Sequence, residues 1–140
     1  MFDTHGVDRL TEWKKFRDKI ETSPNPLQDV AEFWSRAPFV NPYLDENNPK
    51  EWPDPWHLVL DERLDDLAIA LGMLYTLRLT KRFMTSQCEI HKSMLPDDTD
   101  CHFLLVDNKH VLNYRYKEVV DISELGTVKS SRLYVANDKK

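Results

Sequence analysis

Between Leu64 and Leu79, apolar residues at Leu64, Leu67, Ala68, Ile69, Ala70, Leu71, Met73, Leu74, Tyr75, Leu77 and Leu79 cover nearly the whole circumference of a helix. A helix that is apolar all round has to be surrounded by other elements, so this segment is predicted to be the buried hub of the fold. Gly72 in its middle costs about 1 kcal/mol relative to alanine, and close packing against a neighbour explains its presence. Asp61 is the predicted cap of this helix.

What flanks the hub differs on its two sides. Before it, Val7, Leu10, Trp13, Phe16 and Ile20 recur at steps of three and four, which predicts an amphipathic helix with Lys14, Lys15, Arg17, Asp18 and Lys19 mostly on the wet side. A second helix begins at Asn25-Pro26, with Gln28 placed to reach back as in a capping box, and ends at Pro38. Asp54 and Pro55 predict a short third helix to Leu60. After the hub the period changes to two. Residues 83–91 read as a strand, 93–100 as a polar turn, and Cys101–Val106 with His110–Tyr116 as a hairpin around Asp107-Asn108-Lys109. Val119–Ile122 and the stretch holding Leu133, Tyr134 and Val135 are further strands. Helices first and antiparallel strands after make an α+β protein, its buried central helix packed on a C-terminal antiparallel sheet. A chain of 140 residues is read as one domain, with a helical part at 1–37, a proline and aromatic loop at 38–56, the central helix region at 57–80 and strands over 83–135.

Bulk properties exclude some functions. The net charge of −5 argues against a general nucleic-acid binder, which needs clustered cations to neutralise phosphates. No stretch reaches the apolar length of a membrane span, and no charged-then-apolar leader opens the chain. Two cysteines do not make a disulfide framework. No Gly-rich phosphate loop, HExxH or nucleophile-elbow motif is present, and no cofactor is expected. The expected setting is the cytoplasm.

Several side-chain groups can carry chemistry. If Asn108 and Lys109 form a two-residue turn, Leu104 faces Asn113 and His102 faces Arg115, so His102 and Asn113 share a sheet face as diagonal neighbours roughly 7–8 Å apart. A histidine oriented by an amide is the base half of a cysteine-nucleophile site. Cys101 adjoins His102 but points to the opposite face, and Cys88 lies with Ser86 and Ile90 on a core-like face, so both thiols read as packing residues. Cys88, His91, Cys101 and His102 are the right types for zinc, yet extended strands send each pair to opposite faces. Asp61, Glu62, Asp65 and Asp66 cluster at the helix start, where acids favour the macrodipole; His57 nearby makes a divalent-metal site the competing reading. In the loop Pro38–Trp56, the rings of Phe39, Tyr43, Trp52 and Trp56 either cover the core or form a surface for a partner protein, in which case some are exposed.

The segment from Cys101 through Asn113 resembles the histidine strand and following strand of transglutaminase-like (papain-like) domains, and Leu64–Leu77 resembles their nucleophile helix. That resemblance implies a papain-like fold and places the family's cysteine at Leu64, which has no ionisable proton. It therefore implies a scaffold without its nucleophile. A second resemblance joins Trp34-Ser35-Arg36-Ala37-Pro38, Tyr43-Leu44-Asp45, Trp52-Pro53-Asp54-Pro55-Trp56 and Leu71–Leu77 to uncharacterised proteins of tailed bacteriophages, and implies a virion or assembly component in a host cell. The leading expectation is a non-catalytic protein whose partner is another protein or a second copy of itself. The alternatives are a cysteine-type hydrolase or transferase using His102 and Asn113 with an unidentified nucleophile, and a zinc-stabilised regulatory module.

Overall fold

The computed structural model describes residues 1–38, 40, 42–61, 64–94, 99–126 and 129–136. Four helices, α1 (Gly6–Ile20), α2 (Pro26–Trp34), α3 (Pro55–Leu60) and α4 (Asp66–Arg78), precede five strands, β1 (Cys88–Met94), β2 (Asp100–Val106), β3 (His110–Leu112), β4 (Val119–Asp121) and β5 (Ser130–Ala136). The strands form one antiparallel sheet in the order β4-β3-β2-β1-β5. This is the expected α+β arrangement. No helix among the described residues is long and apolar enough to cross a membrane.

The hub is α4, buried along nearly its whole length. Gly72 is there because the Trp34 indole lies against it: a Cβ at that position would stand 2.4–2.8 Å from three ring carbons. One turn on, the buried Thr76 hydroxyl accepts from the indole N–H groups of Trp13 at 3.0 Å and Trp34 at 2.9 Å, and donates to the Gly72 carbonyl. A single hydroxyl thus satisfies two buried donors and ties α1 and α2 to α4. The inner face of the sheet, with Cys88, Ile90, Leu104, Val106 and Leu112, closes this core. A smaller cluster of Phe103, Leu105, Val111, Val120 and Leu125 covers the opposite face, which is why β2 is buried on both sides.

Several boundaries differ from the sequence expectation, each for a local reason. The cap of α4 is Asp65, not Asp61, and the helix begins at Asp66 rather than Leu64. Leu64 is extended and fully buried, its carbonyl accepting from the Val40 amide. Val7 projects into solvent from the first turn of α1. Asn25 makes no side-chain cap, and Gln28 donates instead to Glu32 and to the Lys117 carbonyl. The first strand starts at Cys88 rather than 83, because side-chain hydrogen bonds hold the preceding residues in turns: Thr80 accepts from the Phe83 amide, and Arg82 donates to the Ile20 and Ser23 carbonyls. The strands run past the expected 93–100 turn, to Met94 and from Asp100. The hairpin has a three-residue loop, Asp107-Asn108-Lys109, whose first two residues are left-handed, and its register pairs Val106 with His110 and Leu104 with Leu112.

Candidate functional site

His102 shares the helix-facing side of β2 with Leu104 and Val106, as strand alternation requires. Its ring lies against the start of α4. The Nδ1 atom is 3.0 Å from Asp66 Oδ2 and Nε2 is 2.9 Å from Glu46 Oε2, while its backbone amide donates to Asp66 Oδ2 at 2.7 Å. Asp66 is the first residue of α4, so a carboxylate, and not Leu64, stands at the helix start facing the imidazole. Leu64, where the resemblance places the family's cysteine, lies two residues before the observed helix start.

The position of Asp66 follows from its neighbour. Asp65 is almost wholly buried and accepts from three backbone amides: Ala68 at 2.7 Å, Tyr43 at 2.8 Å and Leu44 at 2.9 Å. The first caps α4. The other two clamp the loop after α2 across the helix start. Glu46 is thereby delivered to His102, and Lys92, opposite His102 on β1, ion-pairs with the same Glu46 and with Asp100 at 3.5 Å.

Asn113 joins the cluster by a different route from the one expected. The observed register removes it from the predicted pairing with Leu104, and a flat strand would then turn its side chain away. Asn113 instead leaves β3 with φ of 66°, a left-handed conformation that asparagine tolerates. Its amide donates to the His102 carbonyl at 2.8 Å and to Asp66 Oδ1 at 3.1 Å.

Electrostatics define what this arrangement can do. Burial pushes the His102 pKa down, but hydrogen bonds and charge from Asp66 and Glu46 outweigh it, and the net shift is upward. A ring nitrogen must carry a proton to donate to a carboxylate, so satisfying both acceptors makes the ring an imidazolium. Lys92 is the main influence holding Glu46 below its usual range, against burial and with help from His102; Glu46 in turn raises Lys92. An imidazolium with both nitrogens engaged has no lone pair with which to take a proton.

Both thiols are buried. Burial pushes Cys88 up to about 12, and burial together with the Asp66 charge pushes Cys101 up to about 12. The thiolate fraction of either near neutrality is on the order of one in 10⁵. Cys101 Sγ donates to the Asn113 carbonyl at 3.5 Å. Cys88 pairs with Val106, whereas Cys101 pairs with Ser93 five residues further along β1, roughly 16 Å away. His91 stacks on Phe103 over the outer face, and its Nε2 lies 2.9 Å from Glu89. The four zinc candidates therefore do not converge. No group of three or more His, Cys, Asp or Glu residues among those described is arranged to hold a metal ion. His57 pairs with Asp54 rather than with the acids of α4, and Glu62 lies outside the described residues.

The loop rings divide. Tyr43 is 43% exposed and Trp56 45%. Trp52 is half-buried, its ring 5.7 Å from that of Tyr134 and its indole N–H bonded to the Asp45 carbonyl. Phe39 lies outside the described residues. A cavity of about 340 Å³ opens between α2 and the end of β3, lined by Trp34, Asp66, Ile69, Met73, Cys101 and Asn113 among others. Sequence reasoning missed Glu46 and Lys92. Neither carried a signal: one is an acid in an irregular loop, the other a lysine on a strand, and only the clamp at Asp65 brings them together.

No family model and no curated protein matches this sequence. Among solved structures, Legionella pneumophila LapG superposes with a TM-score of 0.68 at 16% identity, covering 98% of this chain and 80% of that one. Its calcium-bound form gives 0.69 at 16%, covering 97% and 79%, and its EGTA-treated form 0.69 at 16%, covering 98% and 77%. At this identity the likeness speaks to fold alone: the chain shares the fold of LapG.

Proposed function

We propose that this chain is a non-catalytic, protein-binding member of the papain-like architecture. The observation that carries the reading is the saturation of His102: the imidazole is held between Asp66 and Glu46, and the side chain facing it from the helix start is an acid rather than a thiol. A general base has to offer a lone pair to the proton it removes, and the two buried cysteines have little thiolate to offer in its place. The rival reading, a cysteine-type hydrolase or transferase built on His102 and Asn113, needs both a nucleophile and an unprotonated ring nitrogen. A zinc-stabilised module needs ligands that come together.

Contact with another protein, or with a second copy, is read from the loop Pro38–Trp56, where Tyr43 and Trp56 keep much of their rings in water. Tyr43 on a loop pinned at Asp65 and Glu46, and Trp56 in the first turn of α3, form a preorganised surface, and little ordering entropy is then lost on binding. The narrower reading, a bacteriophage virion or assembly component, rests on the sequence texture, and co-purification with particles tests it. The contact reading is tested by affinity capture and by sedimentation of the wild type beside a Tyr43→Ala/Trp56→Ala double variant. Wild type is expected to bind a partner or to self-associate, and the variant to lose this while still unfolding cooperatively, at a somewhat lower denaturant midpoint because Trp56 also packs on Trp13. Indifference of both measurements to the two rings rejects the surface.

A further inference from the structure

The sequence places Arg17 on the wet side of α1, but the structure finds it half-buried against two tryptophans. The rings of Trp13 and Trp56 meet edge to face, their centroids 5.5 Å apart at 72°. The Arg17 guanidinium lies 4.4 Å from the Trp13 ring centroid and 5.5 Å from that of Trp56. Its Nε is buried and has no hydrogen-bond partner. Nearby acids are committed elsewhere: Asp18 pairs with Lys14 at 2.8 Å, Glu12 with Lys15 at 3.7 Å, and Glu21 accepts from the Lys81 and Arg82 amides. Burial lowers the Arg17 pKa against the opposing pull of Asp18, which marks a cation short of compensation.

This arrangement costs free energy unless something answers it. A buried donor without a partner costs about 1–3 kcal/mol. The guanidinium is a planar fork whose geometry matches a carboxylate through two parallel hydrogen bonds. Indole walls exclude water from one side, and contact with an anion is stronger in such surroundings. Trp56 remains 45% exposed, so the site is open to an approaching chain. Leu10, two helical turns before Arg17 on the same side of α1 and partly buried, extends the apolar margin. Tryptophan beside arginine is the composition enriched at interface anchors.

We propose that Arg17 and Trp56, backed by the buried Trp13 ring, form a docking point for an Asp or Glu side chain carried on an apolar segment of a partner protein. The inference rests on the protein-contact reading above and adds the chemistry of the partner. Charge complementarity selects it: no carboxylate among the described residues ion-pairs with the Arg17 guanidinium, while the net charge of −5 repels a polyanion such as nucleic acid.

The test is a ¹H–¹⁵N NMR titration of the whole chain, following the Arg17 Nε–Hε and Trp56 indole resonances. The probe is the peptide acetyl-LEELEE-amide, with acetyl-LQQLQQ-amide and an oligothymidylate as comparisons. Saturable shifts of both resonances are expected with the acidic peptide. Binding is expected to be at least about tenfold weaker for the glutamine peptide and for Arg17→Gln, the scale of truncating one partner of a desolvated charge pair. Arg17→Lys, which keeps the charge but loses the fork, is expected to recover only part of the affinity and serves if Arg17→Gln does not fold. The proposal is overturned if no shift saturates, if Arg17→Gln binds equally, if the glutamine peptide or oligothymidylate binds as well, or if Arg17 instead governs self-association. Captured partner that survives Arg17→Gln but not Tyr43→Ala/Trp56→Ala overturns this docking point alone. Capture indifferent to all three residues overturns the contact reading itself.

Discussion

Two cations in this protein live in opposite circumstances. His102 sits between two carboxylates, its ring nitrogens and backbone amide all engaged, on a strand buried on both faces. Arg17 sits between two indoles with a buried nitrogen that bonds to nothing. The first is a polar network closed on itself. Such a network rigidifies the loop, helix and strand it joins, and leaves no lone pair with which to react. The second keeps one nitrogen buried without a partner beside a tryptophan ring that is still partly exposed. In this chain the residue that looks catalytic in sequence is enclosed by its hydrogen-bond partners, and the residue that looks like an ordinary solvated cation is half-buried against two indoles.

The largest expected effect comes from opening the closed network. Asp66→Ala removes the acceptor of the His102 ring, of its amide and of Asn113, and leaves a buried imidazolium with one partner gone. Unfolding in urea is expected to show a loss of about 3–5 kcal/mol, the range for stranding one member of a buried pair. A loss under 1 kcal/mol contradicts the saturated network. Glu46→Gln is milder, because the amide oxygen still accepts and Glu46 receives fewer hydrogen bonds from the cluster than Asp66. A loss of about 1–3 kcal/mol is expected, together with greater protease sensitivity of the loop 42–46.

The pH dependence sharpens the same point. His102 is raised above its ordinary 6.5, so its contribution is fully present below that value and is lost as pH climbs through the higher folded value. Glu46 is lowered below its ordinary 4.5, so its contribution is present above that value and is lost as pH falls through the lower folded one. Urea midpoints measured across pH are expected to be highest between about 4.5 and 6.5 and to decline on the alkaline side, with Glu46→Gln flattening the decline. A midpoint that rises from pH 6.5 to 8 contradicts the imidazolium.

Asp66→Cys asks whether the imidazole can activate a thiol placed at the start of α4. A thiol at the start of α4 beside the imidazole is expected to have a depressed pKa and to alkylate with iodoacetamide at least about tenfold faster than Cys88 or Cys101 in the folded protein. Equal rates at all three thiols break the structural parallel. Removing the open cation has the smallest effect on folding. Arg17→Met keeps the stem against the indoles and discards the unsatisfied charge, so its stability is expected to lie within about 0.5 kcal/mol of wild type, or slightly above it, in the same urea measurement.

Particular residues show how far the sequence carried. The apolar circumference of the central helix, the glycine within it, Asp54-Pro55 at the start of α3 and the order of helices then strands were all legible, because periodicity and capping are local properties written in consecutive residues. His102 and Asn113 were legible as a pair, though for a partly mistaken reason: the hairpin loop is one residue longer than predicted, and the left-handed turn at Asn113 restores the meeting that the register shift removes.

Glu46, Lys92 and Asp66 were not legible as a set. Nothing in a chain's local pattern says which loop acid will be carried across a helix start, since that depends on Asp65 accepting amides from residues more than twenty positions away. By itself the sequence determined the hub, the class of fold and the lack of a cysteine at the helix start, through hydrophobic period and residue type. Tertiary structure alone decided which acid faces the imidazole, that both its nitrogens are taken and that Arg17 is left without an anion. Charges act through space rather than along the chain, and only folding sets those distances.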